Sequence, residues 1–238
     1  MQKLIIVGAS SGIGYEMACI YAARGARVAV TGRRQVLLQA LQDRFPDRVI
    51  TSCFDVRGSD NAIRIKELID RLGGLDLLIY NAGYGEPSRE LNLDEEMATT
   101  ATNVSGFVEI TGIAFNYFRE KGGGQIALTS SVAALRGNAW APAYSASKAY
   151  MSIYAEGLNL KAAMLGQKIR VTDIRPGFVN TKPTKAGFRF WVSPVKKAAI
   201  QMVSAIDRRK RVAYVTKRWW LVAQLMRMLP YAICRRLS

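Results

Sequence analysis

Histidine is absent from this chain of 238 residues, and that absence excludes several chemistries. No Ser-His-Asp or Cys-His nucleophile can be assembled, no imidazole can act as general base, and no zinc can be held through histidine. Cysteine is sparse: Cys19, Cys53 and Cys234 are three scattered thiols, an odd number without CxxC spacing. They imply neither a disulfide framework nor a metal site, and they fit a reducing, cytoplasmic compartment. Each is expected to pack as a small buried hydrophobe. No apolar run approaches the roughly 20 residues of a spanning helix. The apolar start, residues 4–7, is too short for a signal peptide and runs directly into a glycine-rich turn. Pro- or Ser-rich linkers, low-complexity tracts and internal repeats are missing too, so one large α/β domain is the economical expectation.

Acidic residues nearly vanish from the last third. Residues 1–160 hold 16 basic and 16 acidic side chains, whereas 161–238 hold 18 basic ones against Asp173 and Asp207 alone. The whole net charge of +16 therefore lies in that last third, which implies an anionic partner on one side of the molecule. No helix-turn-helix, zinc-finger or RNA-binding signature accompanies it, so nucleic acid is not the expected partner.

Short β-branched runs at 3–7, 27–31, 49–54, 76–80, 125–129, 169–174 and 212–215 read as strands. Helical patterns at about 13–24, 35–44, 60–72, 93–120, 143–165 and 194–207 separate them. Continuously apolar strands alternating with helices predict βαβ units and a doubly wound parallel sheet of seven strands, covered by helices on both faces. Residues 1–216 would form this one α/β domain. Residues 217–238 would form a basic amphipathic extension, with a helix at about 217–229. That helix places Trp219, Val222, Leu225, Met226 and Leu229 on one side, with Lys217, Gln224 and Arg227 towards the other. Tryptophan beside cations on so short a helix suits attachment to an anionic membrane surface. Packing on its own domain or on a neighbouring subunit is the competing reading.

The first strand leads into Gly8-Ala9-Ser10-Ser11-Gly12-Ile13-Gly14 and then a helix. A strand, a glycine turn and a helix N-terminus together let backbone N–H groups approach a pyrophosphate. After the second strand, NAD-selective sites carry an acid for the ribose 2′-hydroxyl. Here the chain reads Thr31-Gly32-Arg33-Arg34. Arginine can grip a 2′-phosphate through charge-assisted hydrogen bonds, so NADP(H) is favoured over NAD(H), with Arg33 the better candidate.

Strand five leads to Ser130-Ser131, and Tyr144 and Lys148 follow four residues apart on one helix. At that spacing both side chains share a face. Phenol titrates near 10, too high for ready proton transfer at neutral pH, and a neighbouring ammonium is expected to lower it. A tyrosine so tuned can protonate a carbonyl oxygen as hydride arrives, while a serine hydroxyl polarises the same oxygen.

In order and spacing, Gly8-x3-Gly12-x-Gly14, Asp55, Asn81-Ala82-Gly83, Asn103, Ser131, Tyr144-x3-Lys148 and Pro176-Gly177-x-Val179-x-Thr181 resemble the short-chain dehydrogenase/reductase family in its compact single-domain, Rossmann-type form. The resemblance implies an NADP(H)-dependent oxidoreductase acting on a ketone, aldehyde or secondary alcohol. Tyr144 would be the general acid/base, Ser131 would orient the carbonyl, and Lys148 would hold the nicotinamide ribose. Asn103 would anchor a water relay to Lys148. Asp55, with Val56 beside it, would meet the adenine, and Asn81-Ala82-Gly83 would run along the cofactor. Val179 and Thr181, after the Pro176-Gly177 turn, would fix the carboxamide. Ser130 shares the serine pair, and only family spacing prefers Ser131. Tyr80 stands where many relatives carry a second asparagine.

The segment 182–193 would cover the substrate. It contains Lys185, Phe188, Arg189, Phe190 and Trp191, which suggest an apolar, lipid-like substrate or a lid packed on its own domain. The long helices at about 93–120 and 143–165 form dimer faces in the family, so a homo-oligomer is expected. A non-catalytic NADP(H)-binding sensor or scaffold at a membrane surface is the alternative from another functional class.

Overall fold

A computed structural model describes residues 1–181 and 190–237. Its strands are β1 (Lys3–Val7), β2 (Arg27–Gly32), β3 (Val49–Cys53), β4 (Leu77–Tyr80), β5 (Gly123–Thr129), β6 (Lys168–Pro176) and β7 (Val212–Val215). They form one sheet in the order β3-β2-β1-β4-β5-β6-β7, and every neighbouring pair is parallel. The order reverses between β1 and β4, so a crevice opens at the carboxyl ends of those strands.

The helices are α1 (Gly12–Ala23), α2 (Gln35–Arg44), α3 (Asn61–Leu72), α4 (Leu93–Thr100), α5 (Gly106–Lys121), α6 (Pro142–Met164), α7 (Val195–Asp207), α8 (Trp219–Met228) and α9 (Tyr231–Leu237). Period-two alternation along the strands divides the core into two layers. Leu4 and Ile6 of β1 pack with Met17 of α1, Leu38 of α2 and Met202 of α7. Ile5 and Val7 pack on the other face with Leu68 of α3, Phe107 of α5 and Met151 of α6. The doubly wound seven-stranded sheet expected from the alternation is the observed one.

Four details depart from the expectations. The helix foreseen at 93–120 is divided by a π-helical turn, Ala101–Ser105. The residues after Pro230, beyond the helix expected at about 217–229, form α9. Cys19 is buried but Cys53 is exposed, because it ends β3, an edge strand of the sheet. On α8, Trp219 and Ala223 are buried while Leu225 is exposed. The docked stripe thus runs through 219 and 223, and Leu225 turns to the far side with Leu221 and Met228.

Candidate active site

At the end of β1 the chain turns through Gly8 at φ +84°, a region that L side chains rarely adopt. A Cβ there would stand 2.6 Å from the Ala82 backbone. A Cβ on Gly14 would stand 2.1 Å from the Gly8 carbonyl. The glycines therefore let the start of α1 press onto the strand ends. Ser11 caps α1 in extended backbone without a side-chain cap bond, and no acid occupies the first turn. Asn81 staples this corner: its amide donates to the Gly8 carbonyl at 2.9 Å and its oxygen accepts from the Thr129 hydroxyl at 3.0 Å. That is a structural duty, distinct from the cofactor contact implied by the resemblance.

Arg34 reaches over the glycine turn, donating to Ser10 Oγ at 2.8 Å and Ser11 Oγ at 2.5 Å. Arg33 has a side chain 59% exposed, and its guanidinium is 3.9 Å from Asp55. A Cβ at Gly32 would meet Ser10 Oγ at 3.2 Å, so the position that an acid would occupy is crowded. Asp55 is gripped by Arg57, at 2.6 Å through Nη2 and at 3.0 Å through the backbone N–H. Those hydrogen bonds hold its carboxyl below the usual range, although partial burial opposes them. Val56 is buried, and its carbonyl accepts from the Asn61 amide at 2.9 Å. Two arginines beside a glycine turn and a helix N-terminus without an acid form a donor set suited to a phosphorylated dinucleotide.

The residues after β5 separate the two serines. Ser130 is buried, with its hydroxyl on the Asp173 carboxylate and the Ile174 carbonyl. Ser131 caps the short 3₁₀ turn Val132–Leu135, accepting from the Ala133 N–H at 3.1 Å. It also lies beside the Tyr144 phenol, whose pKa it acts to lower. Ser130 is thus a structural residue, and Ser131 is the one that meets the phenol.

Pro142 starts α6 at a position where its missing N–H costs nothing, and Glu96 caps the next N–H, that of Ala143, at 2.7 Å. One turn further, Lys148 is 3% exposed. Its ammonium donates to the Thr129 carbonyl at 2.8 Å and lies over the Tyr144 ring, 5.7 Å from the centroid. Burial pulls the Lys148 pKa down to about 8, and the Asp173 carboxylate works against that fall. Burial also raises the Tyr144 phenol above its ordinary value, with the Ser131 hydrogen bond acting the other way. The net lowering of this phenol expected from Lys148 is therefore outweighed. Desolvation dominates, and the ammonium is spent on a backbone carbonyl.

Asn103 sits in the π turn with no exposed surface. Its amide donates to the Tyr84 carbonyl at 2.7 Å and to Ser147 Oγ at 2.9 Å, and its oxygen accepts from the Tyr84 N–H at 2.9 Å. A Cβ on Gly83 would be 3.2 Å from Lys148 Nζ and 3.7 Å from Asn103 Oδ1. Asn103, Ser131, Tyr144 and Lys148 are consequently brought to one place. Gly85 belongs to it as well and was not foreseen. A Cβ there would stand 2.3 Å from the Tyr144 ring, so the backbone at Gly85 lies against the phenol. The glycine two residues after Gly83 was the available signal.

Beyond β6, Gly177 donates its N–H to the Val215 carbonyl at 2.7 Å. A Cβ on Gly177 would stand 2.0 Å from the Trp219 ring, so this glycine is required by the tail helix. Val179 bridges to Ser193, and the side chain of Thr181 lies 3.4 Å from where a Gly12 Cβ would be. The loop after Pro176 thus returns to the glycine turn. Lys185, Phe188 and Arg189 of the expected lid lie outside the described residues. Phe190 stacks on Trp219 at 5.1 Å, and Trp191 and Phe178 meet it edge-on at 6.4 and 5.4 Å. Of the two readings of the lid aromatics, packing on the chain itself is the one observed for Phe190 and Trp191. Arg136, five residues after Ser131, donates to the carbonyls of Met226, Arg227 and Leu229 at 2.6–2.9 Å. It ties the end of α8 to the loop after Ser131.

The model of the short chain dehydrogenase family matches residues 2–189. The chain belongs to that family. An uncharacterized oxidoreductase of Mycobacterium tuberculosis is 34% identical over 251 residues, covering 100% of this chain and 97% of that one. An NADP-dependent 3-hydroxy acid dehydrogenase of Salmonella typhi is 32% identical over 183 residues, 74% of this chain and 72% of its own. Among solved structures, a short-chain dehydrogenase from Streptomyces avermitilis superposes with TM-score 0.80 at 25% identity, over 90% of this chain and 87% of that one. This family member is therefore an oxidoreductase. Among the described residues no cluster of metal-ligating side chains occurs, and no helix is long and apolar enough to cross a membrane.

Proposed function

We propose that this oxidoreductase uses NADP(H) to interconvert a ketone or aldehyde and the matching alcohol, with Tyr144 as the general acid/base. One observation carries the reading: Ser131 neighbours the Tyr144 phenol, and the buried Lys148 ammonium lies over the same ring. A carbonyl oxygen placed between the two hydroxyls would receive hydrogen bonds from both. When bound, the cofactor supplies or takes the hydride at the carbonyl carbon. Gly8, Gly12 and Gly14 with the N-terminus of α1 would hold its pyrophosphate. The stretch from Gly177 to Thr181 would face the nicotinamide end, since Thr181 neighbours Gly12.

The residues of the chain handle the proton. A phenol held above its ordinary pKa stays protonated at neutral pH, so it is charged with the proton that the carbonyl oxygen needs in reduction. The Lys148 cation then favours the phenolate left behind, and Asn103, bonded to the same helix through Ser147, keeps the polar end of the site in register. Reprotonation of Tyr144 from solvent closes the cycle.

Arg33 and Arg34 support NADP(H) as the cofactor, in line with the NADP-dependence in the name of the Salmonella relative. Ile153, Leu160 and Met164 are exposed on α6, which supports a homo-oligomer formed through that helix. The decisive experiment is a spectrophotometric screen of carbonyl substrates with NADPH and NADH, repeated on Tyr144→Phe. The reading expects turnover with NADPH that the substitution abolishes while cofactor binding persists. Wild-type kcat in Tyr144→Phe overturns the mechanism, and cofactor binding without turnover across the panel turns the protein into a nucleotide sensor.

A further inference from the structure

Beside the free edge of β7, the ends of α7 and α8 enclose a groove of about 860 Å³ whose walls include Lys197, Arg208, Lys210, Lys217, Arg218 and Trp220. All five cations are exposed, and among the described residues no acid lines the groove. The three acids near this edge are already engaged: Asp207 pairs with Arg24 at 2.8 Å, Glu156 faces Arg211 at 3.9 Å, and Asp173 pairs with Arg175 at 2.7 Å. Trp220 is half exposed and also walls a second, smaller depression with Arg211 and Arg227. It stands where the cationic edge passes into the tail.

Leu221, Leu225 and Met228 follow at helical spacing on the outer side of α8, exposed by 61, 61 and 80%. Tyr231, at the start of α9, is 80% exposed too. Water is a poor partner for such a stripe, and transfer out of it is favourable for each large apolar side chain.

We infer that this face docks the protein on a bilayer surface bearing anionic phospholipid. The cations would meet the headgroups, and Trp220 with the α8 stripe would enter the boundary of the acyl chains. Charge complementarity selects this occupant. A second copy paired across the β7 edge would set Lys210, Lys217 and Arg218 against their own counterparts. A nucleic acid would satisfy the cations but leave Leu221, Leu225 and Met228 in water. Only an anionic interface takes both halves of the face, and it does so without a spanning helix. The inference is independent of the reaction proposed above.

The test is co-sedimentation of the full chain with vesicles of phosphatidylcholine, with and without phosphatidylglycerol, at low and high salt. Binding is expected to the anionic vesicles only and to weaken with salt. Lys210→Glu/Lys217→Glu should weaken it by roughly tenfold or more, since each surface cation contributes about 1 kcal/mol. Leu225→Asp/Met228→Asp should weaken it comparably. Both variants should keep the wild-type melting temperature and turnover, because none of the four residues touches the active site. Absence of binding to anionic vesicles overturns the inference. Binding indifferent to Leu225→Asp/Met228→Asp, with inorganic phosphate competing, reassigns the groove to a soluble anion. A dimer in light scattering that the same variant dissolves, without vesicle binding, assigns the face to a second copy.

Discussion

The Tyr80 hydroxyl donates to the Thr102 carbonyl, 2.6 Å away, and so ties the end of β4 to the π turn that displays Asn103. Carbonyls in a π turn are released from ordinary helical pairing, and π turns recur at functional sites. Tyr80 is fully buried and meets Phe107 edge-on at 5.2 Å, so its ring is fixed and its hydroxyl is aimed. Tyr80→Phe should cost about 1–2 kcal/mol, the penalty for a buried acceptor left without its donor. It should also lower kcat with little change in KM, because Asn103 loses its support. Chemical denaturation and steady-state kinetics on one preparation would show both, and an unchanged kcat would separate Tyr80 from the site.

Lys148 should make the fold less stable than it could be. Its pKa falls from 10.5 to about 8, so the unfolded chain binds the proton more tightly than the folded one. Stability therefore rises as pH climbs from about 8 towards 10.5, and the full penalty is present at neutral pH. At about 1.4 kcal/mol for each unit the penalty is about 3 kcal/mol. Lys148→Met should raise the melting temperature at pH 7, flatten the alkaline rise and abolish turnover. Loss of the bond to the Thr129 carbonyl will reduce the gain.

Asp173 opposes the fall in the Lys148 pKa while bonding Ser130 and pairing with Arg175 at 2.7 Å. Under the proposed mechanism reduction needs the ammonium, so it should decline as pH rises through about 8. Asp173→Asn removes the supporting charge, so the alkaline limb of the reduction profile should move to lower pH. A profile that superposes on wild type would deny Asp173 any influence on Lys148.

Arg33 and Arg34 are expected to differ. Arg33→Ala removes an exposed cation and should raise the KM for NADPH about tenfold, leaving NADH unaffected, as expected for one charge-assisted hydrogen bond. Arg34→Ala also strips the donors from Ser10 and Ser11, so it should weaken both cofactors. Initial rates with each cofactor would distinguish the two residues.

Much of this molecule was legible from residue order because its signals are local. Strands at 3–7 and 212–215 and the helix at 35–44 fall where the apolar pattern put them. Tyr144 and Lys148 share a face by helical geometry alone. What stayed hidden depends on partners distant in sequence. The π turn is braced by Tyr80, 22 residues earlier, and nothing within 93–120 announces it. Cys53 is exposed because β3 lies at the sheet edge, and strand order is not written in any strand. Ser130 and Ser131 are indistinguishable as letters, and Asp173, 43 residues on, separates them. The packing of Trp219 against Gly177 is hidden in the same way, since the Pro-Gly turn does not announce its partner in the tail.

That contact between Gly177 and Trp219 has a consequence for biogenesis. Trp219 is translated after every residue of the site it supports, and it is the floor beneath the turn that follows Pro176. A nascent chain can complete the glycine turn, the serine and the tyrosine while the piece that braces the neighbouring loop is still unmade. Catalytic competence should therefore appear late in synthesis, when α8 has emerged and Arg136 has closed on its last carbonyls.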